Sequence, residues 1–452
     1  MDRREPCLQE CGLSVDHSTT SLRSELTELV NQVQCSNRWS LSYLARFSYK
    51  TTKESIKRIS LHSSWPMAMV IVSVIAALIS LEFTDAGSSS SWELGGFTEK
   101  IPAIFQFGDS LSDTGNSLIA FPQAYKRLNT SPYGETFFHG PSGRECDGRL
   151  IVDFLASSYG LPLLEPYLRR FKGQDWRHGV SFAACGASAL GRSFFHDHNI
   201  SIGATFQLDI QLQWFREFKN VSAMRSSNRG RRTHPSADDF SQALYIVGEI
   251  GGNDYGDMMS TMDYSQMLQF VPMVVQTIRD FIQDLYNLGA RKFLVINIPR
   301  QGCNPSVILS RRPSDRLDDF GCVADFNALN SHHNSLLRIA VDNLRERLAG
   351  ASIALADFYG VTGDVLRNPQ EYGFTETSKP CCGSPWQNWI VDCVDGLMIN
   401  GALTMGQTCA DPSTHLYWNG LHFTEHLYQV AANAFLKGQY ISVSKMGDNV
   451  KL

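Results

Sequence analysis

The sequence has no excess of positive charge, no long apolar span, no paired Cys-x-x-Cys motifs and no internal repeat. Each absence excludes something. Lys plus Arg number 40 against 45 Asp plus Glu, a net charge of -5, so the basic footprint of a nucleic-acid binder is missing. The most apolar run, residues 67–81, falls short of the roughly 20 residues that a membrane-spanning helix needs. Without two Cys-x-x-Cys pairs there is no zinc-site spacing. No Gly-x-Gly-x-x-Gly follows an apolar run, which argues against a dinucleotide site.

What is present is an ordinary globular composition. Hydrophobic residues make up 43% and charged residues 19% of 452 positions, enough for one large domain or two smaller ones. Residues 1–66 are polar and Ser-rich, without a core pattern. The run at 67–81, inside a segment 67–87, suits the apolar region of a secretory signal. Either Met67 or Met69 is the working start, or the prefix is real and the segment is an anchor. A buried helix of the fold is a third option. Residues 88–100 read as a linker, 101–440 as the folded domain and 441–452 as a tail.

Of the 11 cysteines, Cys7, Cys11 and Cys35 precede the apolar run and eight follow it. An even number fits disulfides in an oxidising compartment, with pairing left open. Asn129, Asn199 and Asn220 each open an Asn-x-Ser/Thr sequon, as suits a secreted glycoprotein.

Within 101–440, apolar runs at 103–107, 180–183, 243–247, 293–298 and 353–358 predict strands. Helical periodicity is clearest at 270–288 and 326–348, the first stopping at Gly289. Such alternation predicts a parallel sheet covered on both faces. Pro/Gly/aromatic-rich stretches at 121–147 and 368–396 predict long surface loops that shape a substrate site.

Four stretches carry candidate chemistry. The run 104–107 leads into Gly108-Asp109-Ser110-Leu111-Ser112-Asp113-Thr114-Gly115-Asn116. A strand ending there delivers the Ser110 hydroxyl to the rim where open α/β sheets bind ligands. The plainer alternative is that Asp109 or Ser110 only caps the next helix. The run 179–184 leads into Cys185-Gly186, whose glycine exposes a backbone N–H. The run 245–247 leads into Gly251-Gly252-Asn253, and an Asn amide there is able to donate to an oxyanion. Trp418-Asn419-Gly420-Leu421-His422 precedes a helix at about 424–437, with Thr424 as its expected N-cap.

Taken together and in this order, the four stretches resemble blocks I, II, III and V of the plant GDSL esterase/lipase family of SGNH hydrolases. The similarity extends to Gly302-Cys303-x-Pro305, Gly321-Cys322 and Cys381-Cys382-Gly383. It implies a flavodoxin-like three-layer α/β/α sandwich around a five-stranded parallel sheet, no cofactor, no metal, a small-molecule ester substrate and secretion. It also implies roles. Ser110 is the nucleophile and its own N–H serves the oxyanion hole, with Gly186 N–H and the Asn253 side chain as further donors. His422 is the base.

One position departs from the family pattern. Asn419 stands where the family has Asp, three residues before the histidine. Its carbonyl still accepts from an imidazole, but it brings no negative charge, and in serine proteases Asp→Asn lowers kcat by about 10⁴. Asp411 or a backbone carbonyl is a possible substitute, and Asn419→Asp is expected to raise kcat. Two readings follow: an esterase working through an acyl-serine, with acyl transfer to an alcohol as its near neighbour, or a weakly active or inactive relative that binds an acylated small molecule or glycan.

Overall fold

In the computed structural model, residues 100–169, 174–203, 205–226 and 232–443 are described. The expectations for 1–66 and 67–87, nearly all of 88–100, and all of the tail beyond 443 lie outside the described residues.

Five short strands form the core of one sheet: β1 (Ile104–Phe107), β2 (Gly179–Ser181), β3 (Leu244–Val247), β4 (Lys292–Ile296) and β5 (Ser352–Ala356). A sixth, β6 (Ile441–Ser442), completes the order β6-β5-β4-β3-β1-β2. The first five run parallel. β6 lies antiparallel on β5, with Ile441 opposite Ala356. The sheet therefore has one more strand than the five expected, supplied by residues assigned to the tail.

Helices cover both faces: α1 (Ile151–Ser158), α2 (Leu208–Ser226), α3 (Gly252–Met258), α4 (Val271–Asn287), α5 (Ala324–Arg347), α6 (Phe358–Arg367) and α7 (Glu425–Leu436). The side-chain alternation of β1 shows how the layers arise. Phe105 and Phe107 enter a core with Phe215 and Phe218 of α2, Ile278 and Phe281 of α4, and Val341 of α5. Ile104 enters the opposite core with Leu155 of α1, Val361 of α6 and Leu427 of α7. A strand buried on both faces must be apolar at successive positions, which is why these strands read as continuous runs. The α4 stripe of Val271, Val274, Val275, Ile278, Ile282 and Leu285 keeps three- and four-residue spacing and is wholly buried, as an amphipathic helix on a sheet requires.

Three disulfides form, Cys303–Cys322, Cys381–Cys409 and Cys382–Cys393. Cys146 and Cys185 remain as buried free thiols, so the eight cysteines of this region do not all pair.

Candidate active site

The parallel register puts the C-terminal ends of β2, β1 and β3 side by side, with Gln106 opposite both Ser181 and Ile246. The segments that leave these three ends carry Gly186, Ser110 and, at the start of α3, Asn253. This is the crevice where an open α/β sheet reverses its strand order.

The first loop begins at a glycine that has no room for a side chain. A Cβ on Gly108 would lie 2.9 Å from the Gly248 carbonyl oxygen and 3.0 Å from that of Glu249. The buried Gln211 of α2 brackets the same residue, accepting from Gly108 N at 3.0 Å and donating to Gly108 O at 2.9 Å. Gly108→Ala is therefore expected to cost about 1–3 kcal/mol as the strand ends are forced apart. A urea midpoint equal to that of the parent protein would contradict this.

Beyond Gly108 the chain turns tightly. Asp109 N donates to Glu249 O at 3.0 Å, and Ser112 N to Asp109 O at 3.1 Å. Asp109 Oδ1 accepts from Leu111 N at 3.0 Å. The helix that follows, Asn116–Ala120, takes its capping bonds from Asp113, whose Oδ1 accepts from Gly115 N at 2.7 Å and Asn116 N at 2.6 Å. Neither Asp109 nor Ser110 caps it. Ser110 is held at the apex of the turn.

Buried polar side chains tie the three loops together. Asn116 donates to the carbonyls of Ser181 and Ala183, both at 2.9 Å. Asp113 Oδ2 accepts from Cys185 N at 3.1 Å. Asp254 accepts from Ala189 N at 2.8 Å and Leu190 N at 2.9 Å. Between these anchors Gly186 adopts φ +72°, a left-handed conformation that costs a glycine little. Asn253 donates one side-chain N–H to Ala187 O at 2.9 Å. Among the described residues, no acceptor takes the backbone N–H of Ser110 or of Gly186.

His422 arrives from the far end of the chain, on the loop between the strand His415–Tyr417 and α7. Its Nε2 lies 2.8 Å from Ser110 Oγ. Its Nδ1 lies 2.9 Å from Asn419 Oδ1. That oxygen also accepts from the backbone N–H groups of His422 at 2.9 Å and Leu421 at 3.0 Å. Three donors converge on one atom, which fixes the amide with its oxygen toward the imidazole. Nδ1 then carries the proton and Nε2 is left to accept from Ser110.

The other half of the Asn419 amide faces charge. Nδ2 donates to Tyr133 Oη at 3.1 Å and lies 3.4 Å from Glu145 Oε2. Asp411, weighed as a substitute for the missing carboxylate, is exposed and accepts from Ser413 N at 3.0 Å, capping a short turn. Thr424 sits at the N-cap of α7, but its hydroxyl donates to His415 O at 2.7 Å. The first N–H of α7, on Glu425, goes instead to Asp147 Oδ1 at 2.8 Å.

Burial lowers the His422 pKa, with Glu145 pulling it back up and Arg127 adding to the fall. The imidazole is therefore neutral near pH 7 and free to take a proton. Burial also raises the acids below the turn: Asp109 rises well above its usual range, and Glu249 and Asp254 reach about 7. It pushes up the thiols of Cys146 and Cys185 as well, which leaves them poor nucleophiles.

The family model for GDSL-like Lipase/Acylhydrolase matches residues 104–435. The chain belongs to this family. Among its relatives, GDSL esterase/lipase ENOD8 of Medicago truncatula is 36% identical over 344 residues, covering 75% of this chain and 87% of the relative. Two GDSL esterase/lipases of Arabidopsis thaliana are 35% and 33% identical, covering 74% and 76% of this chain and 87% and 92% of their own lengths.

Sequence reasoning had no sign of Glu145, Arg127, Tyr133 or Gln211 in this family member. Tyr133 and Glu145 lie more than 270 positions from Asn419, and Gln211 lies 103 from Gly108. Arg127 is close in sequence to the Glu145 it pairs with, but each of the four reads in isolation as a loop or helix-surface residue.

Proposed function

We propose that the protein is a serine esterase that hydrolyses carboxylic esters through an acyl-serine intermediate. The observation that carries this is the connected run from Ser110 Oγ through His422 to Asn419, with links of 2.8 and 2.9 Å. As His422 Nε2 takes the hydroxyl proton, Ser110 Oγ attacks the ester carbonyl. The negative charge that forms on the carbonyl oxygen is met by the N–H groups of Ser110 and Gly186 and by the free N–H of Asn253, a preorganised set of the kind that stabilises tetrahedral intermediates. His422 then protonates the departing alcohol. Water, deprotonated by the same imidazole, releases the acid and restores the serine.

The segment 384–405 exposes Trp389, Met398 and Leu403, and its Ile390 lies against the loop that carries His422. A side chain at Gly420, two residues from His422, would meet Ile390 of this segment at 3.2 Å. An apolar residue beside the histidine loop suits an ester with a lipophilic part.

The test is to incubate the protein with p-nitrophenyl acetate or butyrate and, separately, with a fluorophosphonate. Turnover, with the adduct mapped to the Ser110 peptide, is expected. A protein that neither turns over nor labels would instead be the binding relative. On pH, the neutral imidazole is the active form, so activity rises with pH through the His422 pKa. Because burial lowers that value, the acid limb of kcat/KM is expected below the ~6.5 of a free imidazole. A limb above that value would mean that burial does not dominate.

Secretion belongs to the same proposal. It is supported by the three disulfides and by the exposure of Asn129, Asn199 and Asn220. Among the described residues no helix is long and apolar enough to cross a membrane.

A further inference from the structure

We propose that Glu145 supplies the negative charge that Asn419 lacks, making it a positioning residue that acts on the reaction through His422. The inference rests on the esterase reading and concerns a residue from a loop more than 270 positions earlier in the chain.

Its geometry is specific. Glu145 is 1% exposed, and its Oε2 stands 3.7 Å from His422 Nδ1. The same oxygen is 3.4 Å from Asn419 Nδ2 and accepts from Arg127 Nε at 3.2 Å. Arg127 Nη2 bonds the other oxygen. Around this pair runs a closed ring of contacts. Asn419 donates to Tyr133 Oη, and Tyr133 donates to Asp392 Oδ2 at 2.7 Å. Asp392 Oδ1 accepts from Asp395 N at 3.1 Å, and Asp395 Oδ2 faces Arg127 Nη1 at 3.3 Å. The disulfide Cys382–Cys393 fixes the chain on both sides of Asp392.

This arrangement splits into two the work that one aspartate does elsewhere. In a Ser-His-Asp site the carboxylate both sets the tautomer and stabilises the imidazolium. Here Asn419 Oδ1, pinned by two backbone N–H groups, sets the tautomer. A charged group within reach of the same nitrogen is left for the second task, and Glu145 is the carboxylate there. Burial raises its pKa, but Arg127 and His422 outweigh that and bring it below the usual value, so it is ionised. The charged and titrating groups that bear on His422 are Glu145, Arg127 and Asp392. Glu145 and Asp392 raise its pKa and Arg127 lowers it.

The expectation for Asn419→Asp consequently reverses. An aspartate at 419 would set a second carboxylate against Glu145, where the amide now stands 3.4 Å away. Like charges at that distance oppose each other, so activity no higher than the parent's is expected.

A double-mutant cycle tests the proposal. Glu145→Gln keeps a partner for Arg127 and removes the charge. It is expected to lower kcat, with little change in KM, by about ten- to a hundredfold, the equivalent of one to two pKa units of imidazolium stabilisation. It also moves the acid limb to lower pH. Glu145→Gln with Asn419→Asp exchanges the two groups and is expected to return kcat to within about threefold of the parent, a coupling that independent sites do not show. A residue of merely structural importance would lower the melting temperature, leave the limb in place and gain nothing from the exchange.

An NMR titration of the His422 ring gives a reading that needs no turnover. Its pKa should fall by about one to two units in Glu145→Gln. An unchanged His422 pKa, or additive effects around the cycle, overturns the proposal, and so does a gain in kcat from Asn419→Asp alone, which remains measurable should Glu145→Gln fail to fold. Absence of fluorophosphonate labelling in the parent protein would instead count against the esterase reading, and the titration would still judge Glu145.

Discussion

Ser110→Ala is expected to lower kcat by about 10⁶, the scale seen when a serine hydrolase loses its nucleophile, and to abolish fluorophosphonate labelling. The size follows from what the hydroxyl does. It forms the only covalent bond to substrate in the scheme, and no neighbour replaces it. Ser112, two residues on, donates to Glu249 Oε2 at 2.8 Å on the buried side of the turn, and Cys185 is a buried thiol with a raised pKa. His422→Ala is expected to cost a similar factor, and the double variant little more, because the two groups act as one unit. Ser110 is 9% exposed, and its hydroxyl is bonded to His422, so stability should barely change. A Ser110→Ala protein that retains turnover and label would move the chemistry to another residue.

The parts of this molecule that could be read from sequence are those in which one segment carries its own reason. The five parallel strands are short apolar runs because both faces are buried, and their observed limits differ from the expected ones by only a few residues. The runs at 270–288 and 326–348 kept a helical period because each faces a sheet. Ile441–Ser442 offered no such pattern. Two residues pairing at an edge bury little, and the bond of Asp357 N to Tyr440 O at 2.8 Å that accompanies them is between backbones. The catalytic candidates were legible as strand ends, since a glycine followed by a small polar residue marks where a strand hands over to a loop.

The charge balance of the site was hidden for a different reason. Glu145 and Arg127 lie in a loop region dense in Pro, Gly and aromatic residues, where a charge normally means solvent. Glu145 is buried where it meets Asn419 and His422 of the 418–422 loop, and Arg127 lies partly exposed beside it, between Glu145 and Asp395. Cys146, next in sequence, looked like half of a disulfide and is a buried free thiol in the core shared with Leu427 and Tyr428 of α7. Asp411 looked like a substitute partner for the imidazole because it is near in sequence. Nearness along the chain was the wrong measure, since an Asp ahead of a Pro and a Ser is well served by its own turn.

Asn253→Ala is expected to lower kcat by about 10²–10³ with KM little changed, the loss typical of a single oxyanion-hole donor. The amide has two side-chain N–H groups. One is committed to Ala187 O at 2.9 Å, which fixes the side chain beside the Gly186 turn before substrate arrives. The other has no partner among the described residues, so it meets the developing oxyanion without being taken from an existing bond. Asp254, next along α3, holds the N–H groups of Ala189 and Leu190, so the distance between the second and third loops is set independently of Asn253. Removing the amide should therefore leave Gly186 where it is and delete one donor alone. Asn253→Asp is a sharper form of the same test. It keeps the shape and puts a negative charge where the oxyanion forms, so a greater loss than in Asn253→Ala is expected. Equal kcat in the parent and Asn253→Ala, with turnover still dependent on Ser110, would mean that the two backbone N–H groups stabilise the intermediate unaided.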